Sequence, residues 1–397
     1  MISKKFILST IMLIFLCSIS LSAVMAADSQ NIQLNDSVNV KSFSDLQTNV
    51  DNTPSGGTLY LNGENFNQTL DGKTIQINKN IYINGASKDN SSLVTTINCN
   101  GNSNAFTIGN GVTASFMNIL FINGNSDYGG AIYAGYKCDV NIDNCTFIGN
   151  NANIEGGAVY VNQNSHLSIN NSAFSNNAAD KGGAVYGAKS TDLKINNSTF
   201  TSNEAKGRGG AIFIDESSGL NINNCHFSNL IAEVDGGAIY GRSNVIVKRS
   251  TFNDTTAKTG SGGAIYTSSG YVSVSNSTFI NNTADIDGGA IYSSSDSIRV
   301  IDSNFSYTTV VGWGSGGAIF GNAGVDIINS NFTNTQAGIW GGAIFGRNSI
   351  SVSNSTFTNN KANNGGSIYI GGDGNLIVSE SIFNHIVANI DGGAIYG

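Results

Sequence analysis

Apolar and polar residues alternate along this chain in short runs, and the runs return at a nearly fixed interval. A typical unit reads aliphatic-x-aliphatic-x-Asn-Ser-x-Phe, then a polar Asn-rich stretch, then Gly-Gly-Ala-Ile-Tyr. Alternation with a period of two is typical of a half-buried β-strand, and Gly and Asn are poor helix formers. The pattern therefore predicts several short strands in each unit.

A Gly-Gly doublet marks the period of these units. The first glycine of each doublet lies 24 to 28 residues after the one before. Such regular self-similarity indicates stacked units that contact only their neighbours. Because common helical repeats are longer, about 33–47 residues, the pattern predicts an all-β chain. We expect a parallel β-helix with one coil per repeat of about 26 residues. The first glycines of the doublets are Gly129, Gly156, Gly182, Gly209, Gly236, Gly262, Gly288, Gly316, Gly341, Gly365 and Gly392.

A phenylalanine occupies the same phase of every repeat, although most other positions vary. A residue type that is kept at one phase of a stacked unit is predicted to point into the interior. There the rings would stack on one another at the spacing of the coils. These residues are Phe121, Phe147, Phe174, Phe200, Phe227, Phe252, Phe279, Phe305, Phe332, Phe357 and Phe383.

The last residue of Gly-Gly-Ala-Ile-Tyr forms a second aromatic column. Alternation predicts that Ile enters the core and that Tyr faces outward; the converse facing, with Ala and Tyr inward, stays open. An outward row could bind sugar rings or the apolar face of another protein, or it could only stabilise the stacking. The candidate surface ladder comprises Tyr133, Tyr160, Tyr186, Tyr240, Tyr266, Tyr292, Tyr369 and Tyr396.

Composition divides the chain into four segments. Residues 1–26 combine a basic start with an apolar stretch from Phe6 to Leu21, which predicts a cleaved signal peptide; an uncleaved anchor helix is the alternative. Residues 27–41 form a polar linker, residues 42–111 an N-terminal cap with irregular first coils, and residues 112–397 the regular repeats. The repeats continue to Gly397 without a visible cap or anchor, so a fragment of a longer chain is one interpretation.

The start of the cap region carries a helical signal. Phe43, Leu46 and Val50 follow one another at helical spacing, which predicts a short helix over Ser42–Asp51. It would cover the open end of the first coil, where unpaired backbone groups promote aggregation; an ordinary surface turn is the alternative. The strand-like pieces that follow are Thr58–Leu61, Thr74–Ile77, Ile81–Ile83, Thr96–Asn98, Phe106–Ile108 and Ala114–Phe121.

Charge limits the kinds of partner. Only 12 % of the residues are charged, and the formal net charge is −8. This balance argues against binding nucleic acid or an anionic membrane by simple electrostatics. No apolar run after the leader is long enough for a membrane span. We expect a secreted or cell-surface protein that is monomeric, with end-to-end association possible at the C-terminal coil.

The cysteines give little evidence for disulfides. Cys145 and Cys225 hold the same phase three coils apart. At about 4.8 Å per coil they are separated by roughly 14 Å, which exceeds the reach of a disulfide. We interpret them as small buried residues in a column that otherwise holds serine. A bridge from Cys99 to Cys138 or Cys145 stays open.

The repeats resemble those of known surface proteins. Gly-Gly-Ala-Ile units that alternate with Phe-x-x-Asn are similar to the repeats of chlamydial polymorphic membrane proteins. The order of a leader, a capping region and Asn-rich repeats such as Val234–Tyr240 resembles the adhesin-like proteins of methanogenic archaea. Both groups have the pectin-lyase-like fold, so the resemblance implies a right-handed parallel β-helix. The Asn of Phe-x-x-Asn is present after Phe147, Phe174, Phe200, Phe279 and Phe357 and missing from the other copies.

The same fold class includes polysaccharide lyases and hydrolases, whose sites use paired carboxylates or Ca²⁺ with basic residues. Here His166, His226 and His385 lie at different phases and form no common site. Carboxylates before the Gly doublet could line up as a cation-binding row, but basic and neutral residues interrupt it, and turn residues are the simpler interpretation. We therefore predict no catalytic residue, metal or cofactor. The carboxylates are Glu155, Asp235, Asp287 and Asp391.

These observations predict a non-catalytic, adhesin-like β-helix that mediates contacts with host or neighbouring cells through an unidentified surface glycan or protein. A polysaccharide lyase or glycoside hydrolase on the same fold is the first alternative. A purely structural envelope protein is the second.

Overall fold

Each predicted unit folds into strands that join three parallel sheets, and the chain winds through the sheets in turn. The computed structural model describes residues 40–69 and 72–397. The predicted signal peptide and nearly all of the predicted linker therefore lie outside the described residues. We name the sheets by their residues: the tyrosine sheet contains the strands that follow the Gly doublets, the aliphatic sheet the aliphatic-x-aliphatic strands, and the phenylalanine sheet the Ser-x-Phe strands.

The strands of the three sheets have the following bounds. The tyrosine sheet comprises Ile75–Ile77, Phe106–Ile108, Ile132–Ala134, Val159–Val161, Val185–Gly187, Ile212–Ile214, Ile239–Gly241, Ile265–Thr267, Ile291–Ser293, Ile319–Gly321, Ile344–Gly346, Ile368–Ile370 and Ile395–Tyr396. The aliphatic sheet comprises Gly57–Tyr60, Ile81–Asn84, Thr113–Met117, Asp139–Asp143, His166–Asn170, Asp192–Asn196, Gly219–Asn223, Asn244–Lys248, Val272–Ser275, Ile298–Ile301, Gly324–Ile328, Ser349–Ser353 and Asn375–Ser379. The phenylalanine sheet comprises Val40–Ser42, Asn65–Asn67, Thr95–Asn98, Ile119–Ile122, Asn125–Tyr128, Thr146–Ile148, Asn151–Glu155, Ala173–Ser175, Ala178–Lys181, Thr199–Thr201, Glu204–Arg208, His226–Ala232, Thr251–Ala257, Thr278–Ile280, Thr283–Ala284, Asn304–Ser306, Thr309–Val310, Asn331–Thr333, Thr356–Thr358 and Ile382–Asn384. The strands Lys361–Asn364 and Val387–Asp391 pair as a separate two-stranded sheet.

Equivalent residues of successive coils pair in register. Phe252, for example, pairs with Phe279 of the next coil, and Tyr240 pairs with Tyr266. Parallel strands satisfy their backbone groups only through neighbouring strands, so each coil depends on the coils that flank it. This confirms the predicted fold, a parallel β-solenoid in which the repeat is one coil.

The phenylalanine column fills the interior, as predicted. Phe252 has no exposed surface, and its ring lies between those of Phe227 and Phe279 at centroid distances of 4.6 and 4.8 Å. The interplanar angles are 1° and 3°, so the rings are parallel at the spacing of the coils. Aliphatic residues from the other two sheets complete the same core, among them Ile239 and Val272.

Turns between the sheets use repeated polar residues. In Asn-Ser-x-Phe the Asn adopts a positive φ, for example 50° at Asn276, because its short polar side chain tolerates the left-handed region. The Ser that follows is buried and binds backbone: the amide of Ser250 donates to Ser277 Oγ at 3.1 Å, and that hydroxyl donates to the carbonyl of Ser275 at 2.9 Å. These contacts connect each turn to the next along the stack.

The cysteines in this column behave as the serines do. Cys145 and Cys225 are buried and free, as are Cys99 and Cys138, so the possible Cys99 bridge is not formed. Cys145 Sγ donates to the carbonyl of Asp143 at 3.3 Å, the bond that serine makes elsewhere. Burial raises the pKa of the Cys145 thiol to about 12, which keeps it protonated and unreactive.

A short helix, α1 (Phe43–Asn52), closes the start of the solenoid. Ser42 is its N-cap and forms a capping box with Asp45, a pairing that satisfies free amides of the first turn. Phe43, Leu46 and Val50 are buried and belong to the core, which confirms the predicted cap. Among the residues that the structure describes, no helix has the length and apolarity that a membrane crossing requires.

The structure corrects two strand predictions. Ala114–Phe121 is two strands, Thr113–Met117 and Ile119–Ile122, because Asn118 has a φ of 57° and turns the chain. The polar stretch before each Gly doublet, which the pattern did not assign to a strand, pairs along much of the stack in the phenylalanine sheet. In Asn151–Glu155, only Ala152 is buried, so the apolar signal was too weak to mark a strand.

Candidate binding surface

The aromatic residues after the Gly doublets stack into one ladder outside the core. Tyr240 and Tyr266 have centroids 5.0 Å apart and an interplanar angle of 5°. Alternation places Ile239 in the core and Tyr240 in a separate cluster on the opposite face of the strand, as the outward facing predicts. Because the rings are parallel, neighbouring rings cover each other's faces. The ladder therefore presents ring edges and hydroxyl groups outward.

The ladder is not uniformly accessible. Tyr240 is only 4 % exposed, and Tyr160 and Tyr186 are buried as well. Tyr133, Tyr266, Tyr292 and Tyr369 are half-buried, and Tyr396 is exposed. The residues on the two borders of the ladder cover its middle part.

The first border consists of the residues directly before the Gly doublets. Lys181 Nζ lies 3.1 Å from Glu155 Oε1, and Arg208 Nε lies 2.9 Å from Asp235 Oδ2. The same Arg208 guanidinium lies over the Tyr240 ring at 5.2 Å, a cation–π arrangement. Bases that pair with the carboxylates thus interrupt the row, which argues against a cation site. Asp235 and Asp287 lie in bends, as the turn interpretation predicts, but Glu155 and Asp391 are the last residues of strands.

The second border follows the strands of the tyrosine sheet. Tyr186 donates its hydroxyl to Asp215 Oδ2 at 3.4 Å, and Arg242 donates to Asp215 Oδ1 at 3.2 Å. Burial raises the pKa of the Tyr186 hydroxyl, and the nearby Glu155 and Asp215 charges add to the effect. Both borders carry charged side chains in these coils. Their ion pairs cover the rings from Tyr160 to Tyr240.

The borders carry small and mostly neutral residues beside Tyr266 and Tyr292, with Asp287 on the first border as the charged exception. Ser261 replaces the charged residue on the first border, and Ser268 and Ser294 lie on the second. Tyr266 and Tyr292 are correspondingly more exposed than Tyr240, and the Tyr292 hydroxyl accepts from Asn322 Nδ2 at 3.4 Å. The Tyr266–Tyr292 segment is therefore the most accessible part of the central ladder.

One carboxylate on the first border sits in an unfavourable environment. Asp287 Oδ1 accepts from the Ser315 amide at 2.8 Å. Burial nevertheless raises the pKa of this carboxyl to about 6, although the Ser315 bond and the Arg347 charge both lower it. The folded protein therefore holds a proton on Asp287 at pH values where the unfolded chain, with a pKa near 3.8, does not.

The Asp287→Asn variant is expected to be more stable than the wild type at pH 7.5, by on the order of 1 kcal/mol, with a difference that vanishes near pH 4. Because the pKa of Asp287 is raised in the folded protein, the contribution of Asp287 to wild-type stability falls as the pH increases from about 4 to 6. Asn keeps an acceptor for Ser315 without the charge. Denaturant unfolding at both pH values measures the difference.

The exposed Asp285→Asn variant is the control and is expected to change stability little at either pH. A less stable Asp287→Asn protein at pH 7.5 would show that the charged hydrogen bond to Ser315 outweighs the cost of burial.

The titratable residues that the structure describes form no arrangement suited to metal-assisted chemistry. Within residues 40–69 and 72–397, no group of three or more His, Cys, Asp or Glu side chains could hold a metal ion. Cys225 is buried while its neighbour His226 is exposed, so the two side chains lie on opposite sides of the chain, as predicted. His166 lies 4.0 Å from Asp139 on the surface.

Sequence reasoning missed an exposed loop at the longest interval between doublets, the 28 residues from Gly288 to Gly316. Trp313 in this loop is 84 % exposed and Val311 is 69 % exposed. The amides of Val311 and Gly312 donate to the carbonyls of the preceding coil at 2.9 and 3.1 Å, which fixes the base of the loop. The extra length of this repeat was the available signal.

Comparisons with known proteins agree with this architecture. A family model described as a right handed beta helix region matches residues 183–344. A model of the Chlamydia polymorphic membrane protein repeat matches residues 354–371. Comparison with curated proteins and with solved structures found no match. The solenoid is thus a right-handed parallel β-helix whose repeats are similar to those of polymorphic membrane proteins.

Proposed function

We propose that this protein is a secreted or cell-surface, adhesin-like β-helix that binds partners without catalysis. The observation that carries the proposal is the match of residues 354–371 to the polymorphic membrane protein repeat, whose pattern recurs in the described coils. The order of the chain also resembles the adhesin-like proteins of methanogenic archaea. A stack of this kind holds an extended surface rigidly, which suits display at a cell surface.

The charges of the ladder support a binding role over a catalytic one. A lyase or hydrolase needs carboxylates that are free to exchange protons or hold a cation near the substrate. Here Glu155 and Asp235 are held in ion pairs by Lys181 and Arg208. Asp287 accepts a hydrogen bond from the Ser315 amide and has a pKa raised to about 6, so it is the member of the row whose use in catalysis the product assay below tests.

Three experiments on the full chain test the proposal. Surface labelling and protease shaving of intact source cells are expected to reach the protein, and beads coated with it are expected to bind intact cells. Incubation with polygalacturonate is expected to release no unsaturated or reducing products. Turnover would favour the enzyme alternative instead. A surface-exposed protein whose beads bind nothing would favour a structural envelope role, and a cytosolic location would refute both.

A further inference from the structure

The Trp313 loop offers a free aromatic face, which the tyrosine ladder does not. Rings inside the ladder are stacked at 4.5 to 5.5 Å on both sides, so a flat ligand cannot lie on them. Trp340 is also engaged, because its ring stacks with Phe345 at 5.9 Å and Tyr369 at 5.4 Å. Trp313 is 84 % exposed, and we find no ring stacked on it among the described coils.

The backbone presents this indole in a fixed place. The Gly314 carbonyl accepts from the Ile339 amide of the next coil at 2.9 Å, and the Gly312 amide donates to the preceding coil at 3.1 Å. The residues on both sides of Trp313 are therefore held in place by backbone hydrogen bonds to the flanking coils. A binding group on a fixed backbone loses less entropy when it binds than one on a free loop.

Polar and apolar side chains lie near the loop that carries the indole. A methyl group built on Gly312 would lie 3.5 Å from Asp285 Oδ1, so the exposed carboxylate of Asp285 lies beside the loop. Val311 and Ile286, which are 69 % and 48 % exposed, add apolar surface. An aromatic face with a nearby hydrogen-bond acceptor matches a sugar ring, which has an apolar C–H face and hydroxyl groups on its rim.

The size of the patch distinguishes a sugar from a protein. A Trp side chain offers about 150–250 Å², so three exposed apolar side chains supply on the order of 400 Å². A stable protein interface buries about 800 Å² on each partner. The patch is too small for a protein partner, whereas one sugar ring covers about one indole.

The negative charge of the protein determines which kinds of sugar the loop could bind. The chain has a formal net charge of −8, and Asp285 adds a carboxylate at the loop itself. Uronic acids would be repelled by this field, whereas neutral sugars and amino sugars would not. The polyuronides on which lyases of this fold class act are therefore disfavoured.

We propose that the Trp313 loop is a saccharide-binding site, in which the indole stacks on a neutral or amino sugar ring and Asp285 accepts a hydrogen bond from it. This inference rests on the proposed surface function and specifies its ligand class. It places recognition in the loop and leaves the tyrosine ladder a stabilising role.

Intrinsic fluorescence provides a direct test, because the chain contains only two Trp residues. In the Trp340→Phe variant, emission reports on Trp313 alone. Titration of the full chain with soluble dextran, mannan, galactan and chitosan oligomers is expected to shift the emission to shorter wavelength with at least one of them. Polygalacturonate is expected to cause no shift. The absence of a shift with every neutral and amino sugar refutes the proposal.

Saccharide binding by variants, measured on a glycan array and by titration, tests whether the site lies in the Trp313 loop. Trp313→Ala is expected to weaken saccharide binding at least tenfold, and Asp285→Asn several-fold. Tyr271→Ala, which removes an exposed aromatic beside the aliphatic sheet, is expected to bind as the wild type does. Equal binding by Trp313→Ala and wild type overturns the loop assignment. If coated beads still bind cells while no saccharide binds, the surface function stands and this inference fails.

Discussion

Replacing Phe252 with alanine is expected to lower the free energy of unfolding by about 3–5 kcal/mol. The side chain is completely buried and stacks on a ring on each side, at 4.6 and 4.8 Å. Its removal leaves a cavity that the paired strands cannot close, because the backbone of each coil is hydrogen-bonded to its neighbours. Denaturant unfolding monitored by circular dichroism measures the loss.

Two variants separate packing from other effects of this substitution. Phe252→Leu keeps most of the buried volume and is expected to cost less than half as much. Tyr271→Ala removes an exposed aromatic and is expected to change stability by less than about 1 kcal/mol. If all three variants unfold at the same denaturant concentration, the phenylalanine column is not the main source of stability.

The effect of Phe252→Ala also tests how far stability spreads along the stack. A coil in a solenoid contacts only its neighbours, so stability is approximately a sum of coil and interface terms. A defect in the middle weakens two interfaces at once. We therefore expect the transition to broaden as well as to move, since the coils on either side of Phe252 can then unfold in separate steps.

The sequence predicted the core well because the core repeats. Phe252 and its equivalents never change, and the strands they occupy follow a period of two that survives variation elsewhere. The Gly doublet is equally regular, since a Cβ on Gly236 or Gly237 would lie 2.2 or 2.1 Å from a backbone carbonyl oxygen. Burial and backbone geometry act alike in every coil, so each repeat confirms the same prediction.

The accessibility of the tyrosine ladder could not be predicted in this way. The outward facing of Tyr240 and Tyr266 follows from alternation, yet one ring is buried and the other half-buried. The difference comes from border residues such as Arg208, which vary between repeats. Their effect depends on ion pairs across coils, and a single repeat does not contain both partners.

The position of the Trp313 loop could be predicted from the sequence, but its conformation could not. Its position is marked in the sequence by the longest interval between doublets, so an irregularity there was visible. Whether the extra residues widen a turn or project a side chain is decided by backbone hydrogen bonds. Those of Gly312 and Gly314 to the flanking coils leave Trp313 outside the stack, and local sequence does not encode that choice.

Replacing Gly236 with alanine is expected to be at least as disruptive as the loss of a core ring, costing on the order of 4 kcal/mol or more. Gly236 has a φ of +66°, and an added Cβ would lie 2.2 Å from the carbonyl oxygen of Ile239. That strand cannot move away, because the Ile239 amide is bound to the Ala264 carbonyl at 2.9 Å. The clash must displace the tyrosine sheet or break its pairing.

Gly111→Ala is a matched control for backbone strain. Gly111 has a similar φ of +72°, but an added Cβ there would meet nothing within 4 Å. Only the cost of the left-handed conformation remains, about 1–2 kcal/mol. Thermal and denaturant unfolding of the two variants should therefore differ by at least about 2 kcal/mol. Equal destabilisation would mean that the first glycine of each doublet is retained for its φ alone, and its close approach to the carbonyl three residues later in the same coil would lose its role in setting the repeat.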